Sequence, residues 1–169
     1  MSAINRSRLI GLAIAGAIFA VDQWFKHLVM NVWYLDTTGP IEVLPFFDLR
    51  FTQNFGVSLG MLTAQSMEMR WLLVALTGLI ALVVLVWMMR ERKAADIFAL
   101  GLVLGGALGN IRDRATRGYV IDYADLHFGD FRPFLIFNIA DAAITIGVLI
   151  ILARSLLSRE KPAETAPES

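Results

Sequence analysis

Four long apolar runs alternate with polar segments along the chain, and they set its predicted architecture. We place the runs at residues 9–30, 71–89, 94–111 and 134–153. A helix needs about 20 mostly apolar residues to cross the hydrocarbon core of a bilayer, and each run is close to that length. The pattern therefore predicts an all-α integral membrane protein built as a four-transmembrane-helix bundle.

The first run also fits a cleaved signal peptide, because Arg6 and Arg8 precede an apolar core with small residues. The apolar pattern continues past any cleavage point and three further runs follow, which favours a retained membrane span. We therefore expect residues 1–154 to form a single integral membrane domain. The polar residues 155–169 are expected to be a disordered cytoplasmic tail.

Basic residues near the ends of the runs predict the orientation. If both termini are cytoplasmic, that side holds eight Lys and Arg residues and the opposite side holds six. The sequence "RERK" at residues 90–93 adds weight, because basic residues in short loops count most in setting orientation. We expect both termini in the cytoplasm.

Two external segments follow from this orientation, at residues 32–70 and 112–133. The first contains "IEVLPFFDLRFTQNFGVSLGML", which alternates, is rich in β-formers and is interrupted at Pro45 and Gly56. It predicts a small extracytoplasmic β-cradle between spans one and two. The second segment is charged and aromatic, and we expect it to be a loop.

The composition excludes several kinds of partner and catalytic site. Apolar residues make up 57% of the chain, against about 45–50% in soluble domains. Fifteen basic and fifteen acidic residues cancel, so no nucleic-acid partner is indicated, and the absence of cysteine excludes disulfides and thiol catalysis. The two histidines, His27 and His127, are isolated and no HExxH motif occurs, so we expect no metal and no cofactor.

An aspartate inside the fourth run is the first candidate for chemistry. Asp141 lies seven residues into that run, about 10 Å along a helix axis, which predicts a position in the outer half of the bilayer. Asn138, three residues earlier, would share its face. Ionisable groups at such depth usually mark function, although a structural hydrogen bond between helices is the alternative.

A second acid is needed for acid–base catalysis, and Asp122 is the candidate. It precedes the fourth run and has apolar neighbours that predict partial burial, whereas Asp130 has the context of a turn. Spacing alone does not choose among Asp122, Asp113, Asp125 and Asp130. Two adjacent carboxyl groups tend to share one proton, so that one activates water and the other polarises a carbonyl.

Other polar residues near the runs have structural readings. Asp22 and Lys26 are spaced to form an ion pair on one helix face, and Lys26 could instead meet a lipid headgroup. Asp113 and Arg114 favour a salt bridge or a cap. Close helix packing is predicted at three glycines of the third run: Gly101, Gly105 and Gly109.

Taken together, the chain resembles the bacterial lipoprotein signal peptidases, also called signal peptidase II. Five short stretches carry the resemblance, in the order "DQWFK", "NFGVSLG", "GGALGNIRDR", "VIDY" and "FNIAD". The resemblance implies an aspartic endopeptidase of the bacterial inner membrane, with its active site near the outer face. Such an enzyme removes the signal peptide of prolipoproteins by cutting before a cysteine that carries diacylglycerol.

The resemblance also implies residue roles. The catalytic pair falls on Asp122 and Asp141, and globomycin-type peptides are expected to bind at the same site. The chain departs from the family pattern at Phe55 and Leu59, in the external cradle.

We expect a monomer that contacts membrane lipid. Substrate-binding positions fall on Asn54, Gly106, Asn110, Arg114, Asn138 and Ala140, and supporting positions on Asp22, Lys26 and Asp113.

Two other functions fit parts of the pattern. A small proton-coupled carrier would use Asp22, Lys26 and Asp141 as a relay, although four spans are few and no inverted repeat is visible. A non-enzymatic assembly factor would use its aspartates only to bind a partner span.

Overall fold

A computed structural model describes residues 3–56 and 66–158. Four of its helices are long and apolar enough to cross a membrane, and a three-stranded antiparallel sheet accompanies them, which confirms the predicted fold class. The expectations for Leu59 and for residues 159–169 of the tail lie outside the described residues. In chain order the elements are α1 (Ala3–Asn31), α2 (Leu35–Thr38), β1 (Ile41–Leu44), β2 (Phe47–Asn54), α3 (Met67–Arg90), α4 (Ala94–Arg117), β3 (Val120–Leu126) and α5 (Ile139–Ser158).

Helix α4 is the centre of the bundle. In its most apolar stretch 56% of the residues are buried, against 11% in α1, 11% in α3 and 17% in α5. The other three membrane helices all pack against it. Its glycines make this possible: a Cβ atom on Gly105 would lie 2.5 Å from the carbonyl oxygen of Ala15, and one on Gly101 would lie 2.6 Å from that of Gly11. Small residues therefore bring α4 and α1 into backbone contact.

Several helix ends differ from the predicted spans. Helix α4 continues six residues past the predicted end at 111, so Asp113 and Arg114 lie on a helix and not in an external loop. The side chain of Arg70 explains part of this extension, because its Nε donates to the carbonyl oxygen of Arg114 at 2.9 Å in the last turn. The helix ends at Gly118, whose φ of 88° is a left-handed conformation that glycine adopts without strain.

Helix α5 is also displaced toward the C-terminus relative to its predicted span. It begins at Ile139, five residues after the predicted start at 134, and continues to Ser158, so residues 155–158 of the predicted tail are helical. The chain before Ile139 is irregular and exposes the side chains of Phe134 and Leu135. The apolar character of these residues made the predicted span begin too early.

The sheet contains one strand that the sequence did not indicate. Strands β1 and β2 form the predicted cradle between the first two membrane helices, but β3 comes from the segment between α4 and α5. It pairs antiparallel with β2, with Thr52 opposite Asp122. All but the last residue of β3 are buried, so it lacks the alternation that marks a half-exposed strand. The cradle therefore joins both external segments.

The sheet is fixed to the membrane helices by aromatic and aliphatic contacts. The rings of Phe25 on α1 and Tyr123 on β3 stack with centroids 4.8 Å apart. Val29 and Ile121, both fully buried, belong to the same cluster. Strand β3, which carries Asp122, is thus held against the end of α1.

The close contact at Gly105 leads to a prediction. Gly105→Ala should destabilise the bundle by about 1–3 kcal/mol, because the added methyl group forces α4 away from the backbone of α1. Gly78→Ala on α3 is the matched control, since no described atom lies within 4 Å of its Cβ position. It should be neutral or stabilising. Thermal unfolding in detergent measures both, and equal midpoints for the two variants would contradict the packing described.

Candidate active site

Asn138 and Asp141 form a reciprocal cap at the start of α5. The side-chain Oδ1 of Asn138 accepts the backbone N–H of Asp141 at 2.8 Å, and Oδ2 of Asp141 accepts the backbone N–H of Asn138 at 3.2 Å. This is a capping box, in which residues three apart satisfy each other's free N–H groups. Asp141 is therefore the third residue of α5, in its first turn, and does not lie seven residues into the helix as the predicted span implied.

The remaining free N–H groups in that turn are bonded by other elements. The N–H of Ala140 donates to Oδ1 of Asp22 on α1 at 3.0 Å, and the N–H of Ile139 donates to the hydroxyl of Tyr123 on β3 at 3.3 Å. A carboxylate is also favoured at this end of a helix by the partial positive charge of the N-terminus. The position of Asp141 is thus fixed by α1, β3 and its own cap.

Asp122 is a buried carboxyl group held by two amides. Its Oδ2 accepts Nδ2 of Asn54 at 2.9 Å, and its Oδ1 accepts Nδ2 of Asn138 at 2.7 Å. Asn54 is itself fixed by the N–H of Gly56, which donates to its Oδ1 at 2.8 Å. Burial, and next the negative charge of Asp141, raise the pKa of Asp122 to about 6, while the two amide donors oppose the rise.

The two aspartates meet at Asn138, which contacts Asp122 with its side chain and Asp141 with its backbone. Asn110 of α4 completes the group: its Nδ2 donates to Oδ1 of Asp141 at 2.7 Å, and its Oδ1 accepts Nδ2 of Asn138 at 3.2 Å. Among the ion pairs of the described residues, none involves Asp122 or Asp141. Two carboxyl groups surrounded by amides can share one proton and exchange it with a water.

The other acids of the second external segment are placed differently. Asp125 is fully buried between two arginines, with Nε of Arg132 at 3.0 Å and Nε of Arg50 at 3.2 Å. Asp130 is exposed in the turn that follows Gly129. Asp113 is on α4 and is bonded to Lys26. Of the four acids that spacing left open, Asp122 is the one beside Asp141.

A buried ion triad lies behind the aspartates. Nζ of Lys26 is 2.8 Å from Oδ2 of Asp22 and 2.8 Å from Oδ2 of Asp113, and it also donates to Oδ1 of Asn110 at 3.2 Å. All three charged side chains are at most 1% exposed. The Asp22–Lys26 pair expected from helical spacing is present. Asp113, expected to pair with or cap Arg114, bonds Lys26 instead and accepts the N–H of Ile121 at 3.4 Å.

Gln23 is a site residue that sequence reasoning missed. Its Nε2 donates to Oδ2 of Asp22 at 3.1 Å, to the carbonyl oxygen of Gly109 at 3.2 Å and to Oδ1 of Asp113 at 3.3 Å. Gly109 also makes room for the triad, because a Cβ atom there would lie 2.5 Å from Oδ2 of Asp22. The one sequence signal for Gln23 was its position next to Asp22 in the stretch "DQWFK".

The remaining predicted residues lie around the same group. Gly106 of α4 packs directly against the carbonyl group of Ala140, so these two positions bring α4 and α5 together. The guanidinium group of Arg114 is beside Gly56, and its charge interacts with Asp141 and Asp122. Its buried Nε has no hydrogen-bond partner within the described part of the chain.

Two apolar cavities adjoin the aspartates. One, of about 320 Å³, lies along the outer face of α5 and reaches Asp141. The other, of about 370 Å³, lies between the sheet and α5 and reaches Asn138. Phe137 and Ala142 line both cavities, which therefore open on either side of the segment that carries the cap.

Comparisons with known proteins agree on one family. The family model described as signal peptidase (SPase) II matches residues 14–157. A lipoprotein signal peptidase of Rhizorhabdus wittichii is 53% identical and one of Sphingopyxis alaskensis is 51% identical, over 93% and 91% of this chain and 92% and 89% of theirs. A bacterial membrane enzyme structure determined by the in meso method at 2.3 Å resolution aligns with a TM-score of 0.75 and 25% identity, covering 94% of each chain.

The buried triad leads to a stability prediction. Lys26→Met should destabilise the protein by about 3–5 kcal/mol, because it leaves the buried carboxylates of Asp22 and Asp113 without their cation. Lys93→Met removes the same charge from an exposed position at the start of α4 and should have little effect. Thermal unfolding in detergent compares them. A Lys26→Met midpoint equal to that of Lys93→Met would show that the triad does not stabilise the fold.

Proposed function

The chain belongs to the signal peptidase II family, and on that premise we propose that Asp122 and Asp141 are the catalytic pair of an aspartic endopeptidase. The chain is a multi-pass membrane protease that removes signal peptides from prolipoproteins. The observation that carries the proposal is the convergence of the two carboxyl groups on Asn138. Each is held by amides, and neither is paired with a cation among the described residues.

The proposed chemistry needs only the two carboxyl groups and one water. The ionised member of the pair takes a proton from the water, whose oxygen attacks the carbonyl carbon of the scissile bond. The protonated member donates its proton to the carbonyl oxygen, which gives a neutral tetrahedral intermediate. As the C–N bond breaks, the carboxyl group that took the proton from the water gives it to the leaving nitrogen, and the other carboxylate takes a proton from a hydroxyl group of the intermediate. No cofactor takes part in this scheme.

The environment of the pair supports proton sharing near neutral pH. A pKa of about 6 for Asp122 means that its proton is exchanged within the physiological range. The amide donors of Asp122 act in the opposite direction to burial, because the N–H groups of Asn54 and Asn138 favour its ionised form. The two carboxyl groups titrate together, so the shared proton belongs to the pair and is not assigned to either residue.

Substrate binding is proposed at the polar residues that surround the pair. Arg114, whose Nε has no hydrogen-bond partner among the described residues, would donate to a backbone carbonyl of the substrate. Asn54 and Asn110 would bond the peptide on the two sides of the scissile bond. Gly106 and Ala140 would admit the peptide backbone close to α4 and α5, since neither carries a large side chain.

A lipid-modified substrate fits the surroundings of the pair. The cavity along α5 is lined almost entirely by apolar groups and is continuous with the exposed side chains of Phe134, Leu135 and Ile146. Acyl chains of a diacylglyceryl cysteine can therefore stay in the bilayer while the adjoining peptide bond reaches Asp141. Binding through the lipid would position that bond, and positioning contributes roughly 7–11 kcal/mol in the most favourable cases. Globomycin-type peptides are expected to occupy the same place.

The remaining proposals concern the orientation of the enzyme in the membrane and its oligomeric state. The basic residues at the helix ends favour cytoplasmic termini, and with that orientation the aspartates would lie near the outer face of the bacterial inner membrane. A monomer is sufficient, because every proposed catalytic and binding residue comes from one chain. The carrier alternative finds no support in the comparisons, and Lys26, its proposed relay group, is bonded to Asp22, Asp113 and Asn110.

Cleavage of a diacylglyceryl prolipoprotein by the purified protein tests the pair. Asp122→Asn and Asp141→Asn should each lower turnover by about 10²–10⁴-fold, the usual contribution of a general acid or base. Asp130→Asn removes an exposed acid of the same segment and should retain wild-type turnover. Thermal unfolding of each variant in detergent controls for folding. Near-normal turnover by either folded pair variant would refute the proposal.

A further inference from the structure

We propose that the end of the bundle remote from Asp122 and Asp141 binds the phosphate headgroup of an anionic phospholipid. A cavity of about 490 Å³ lies between the ends of α3, α4 and α5. Along α4, Asp96 in this cavity is separated from Asn110 by about 21 Å, so the cavity is at the opposite membrane face from the aspartates. It is lined by Trp87, Lys93, Asp96, Ile151, Arg154, Ser155 and Leu157.

The charges in and around the cavity favour an anion. Nε of Arg154 is 2.6 Å from Oδ1 of Asp96, so Asp96 balances Arg154. Lys93 at the cavity wall forms no salt bridge among the described residues, although the charge of Glu91 acts on it at a distance. Residues 90–96 and 151–157 together carry four basic and two acidic side chains. The Arg154 side chain is 40% exposed, and its ion pair uses Nε. Its terminal nitrogens are the part of the group offered to a phosphate oxygen.

The walls favour a lipid over a soluble phosphate. Ile151 and Leu157 supply apolar surface beside the basic groups, and the indole of Trp87 is 45% exposed at the same level. Tryptophan is enriched where headgroups meet the hydrocarbon core. Basic pockets between membrane helices are a recurring place for acidic lipid headgroups. An occupant with a negative head and apolar tails matches both parts of this lining.

Bound lipid would fill the space between α3 and α5, both of which pack against α4. Phosphatidylglycerol has the required single negative charge and two acyl chains, and phosphatidylcholine has the same shape with no net charge. The difference in binding between these two lipids measures the contribution of the basic side chains. This inference is independent of the proposed catalytic pair.

The test uses the full chain in phosphatidylcholine nanodiscs that contain a minor fraction of brominated lipid, which quenches tryptophan on contact. Comparison with Trp87→Phe isolates the Trp87 signal from that of the other three tryptophans. Brominated phosphatidylglycerol should quench Trp87 more than brominated phosphatidylcholine does. The preference should fall about fivefold in Lys93→Gln, because each basic residue near an acidic lipid contributes on that scale.

Three controls make the outcome decisive. The double variant Asp96→Asn/Arg154→Gln removes the ion pair without changing net charge and should also weaken the preference. Arg90→Gln removes an exposed charge outside the cavity and should leave it unchanged. Equal quenching by the two lipids, or an equal loss of preference in Arg90→Gln and Lys93→Gln, would overturn the proposal. So would loss of the preference on adding inorganic phosphate at constant ionic strength, which would assign the cavity to a soluble anion.

Discussion

The first turn of α5 must bond its free N–H groups at the edge of an apolar bilayer, and the rest of the site depends on how it does so. Water is scarce there, so the protein supplies the acceptors: Asn138 for Asp141, Asp22 for Ala140 and the Tyr123 hydroxyl for Ile139. The three acceptors come from different parts of the chain. The polar residues of "FNIAD" are therefore requirements of a helix start, and the same requirement places a carboxylate beside Asp122.

The contacts of the buried acids then separate the ion-paired ones from the proposed catalytic pair. Lys26 is shared by Asp22 and Asp113 and forms a salt bridge with each of them in the bundle interior. Asp122 and Asp141 receive amide donors, and neither forms a salt bridge among the described residues, although the charge of Arg114 acts on both. Two carboxyl groups held in this way can share one proton. Asn110 links the two groups, since it accepts from Lys26 and donates to Asp141.

The parts of this structure that depend on the spacing of residues along the chain could be predicted from the sequence. Apolar run length predicted four membrane helices, and the spacing of Asp22 and Lys26 predicted their ion pair. The cap was also readable, because Asn-x-x-Asp before an apolar run has the form of a capping box. It was overlooked because residues 134–138 are apolar enough to extend the predicted helix. Strand β3 was not readable, since a strand buried on both faces lacks alternation. The pairing of Asp113 with Lys26 depends on tertiary packing of α1 against α4.

If Asp122 and Asp141 act as one pair, they lie close enough to affect each other's ionisation. Carbon-13 NMR of the labelled Asp122 carboxyl group, titrated in detergent, tests this directly. In the wild-type protein the pKa of Asp122 is about 6, raised first by burial and next by the charge of Asp141. We expect a lower pKa for Asp122 in Asp141→Asn and an unchanged pKa in Asp130→Asn. An Asp122 pKa that is the same with and without the Asp141 carboxylate would contradict this expectation.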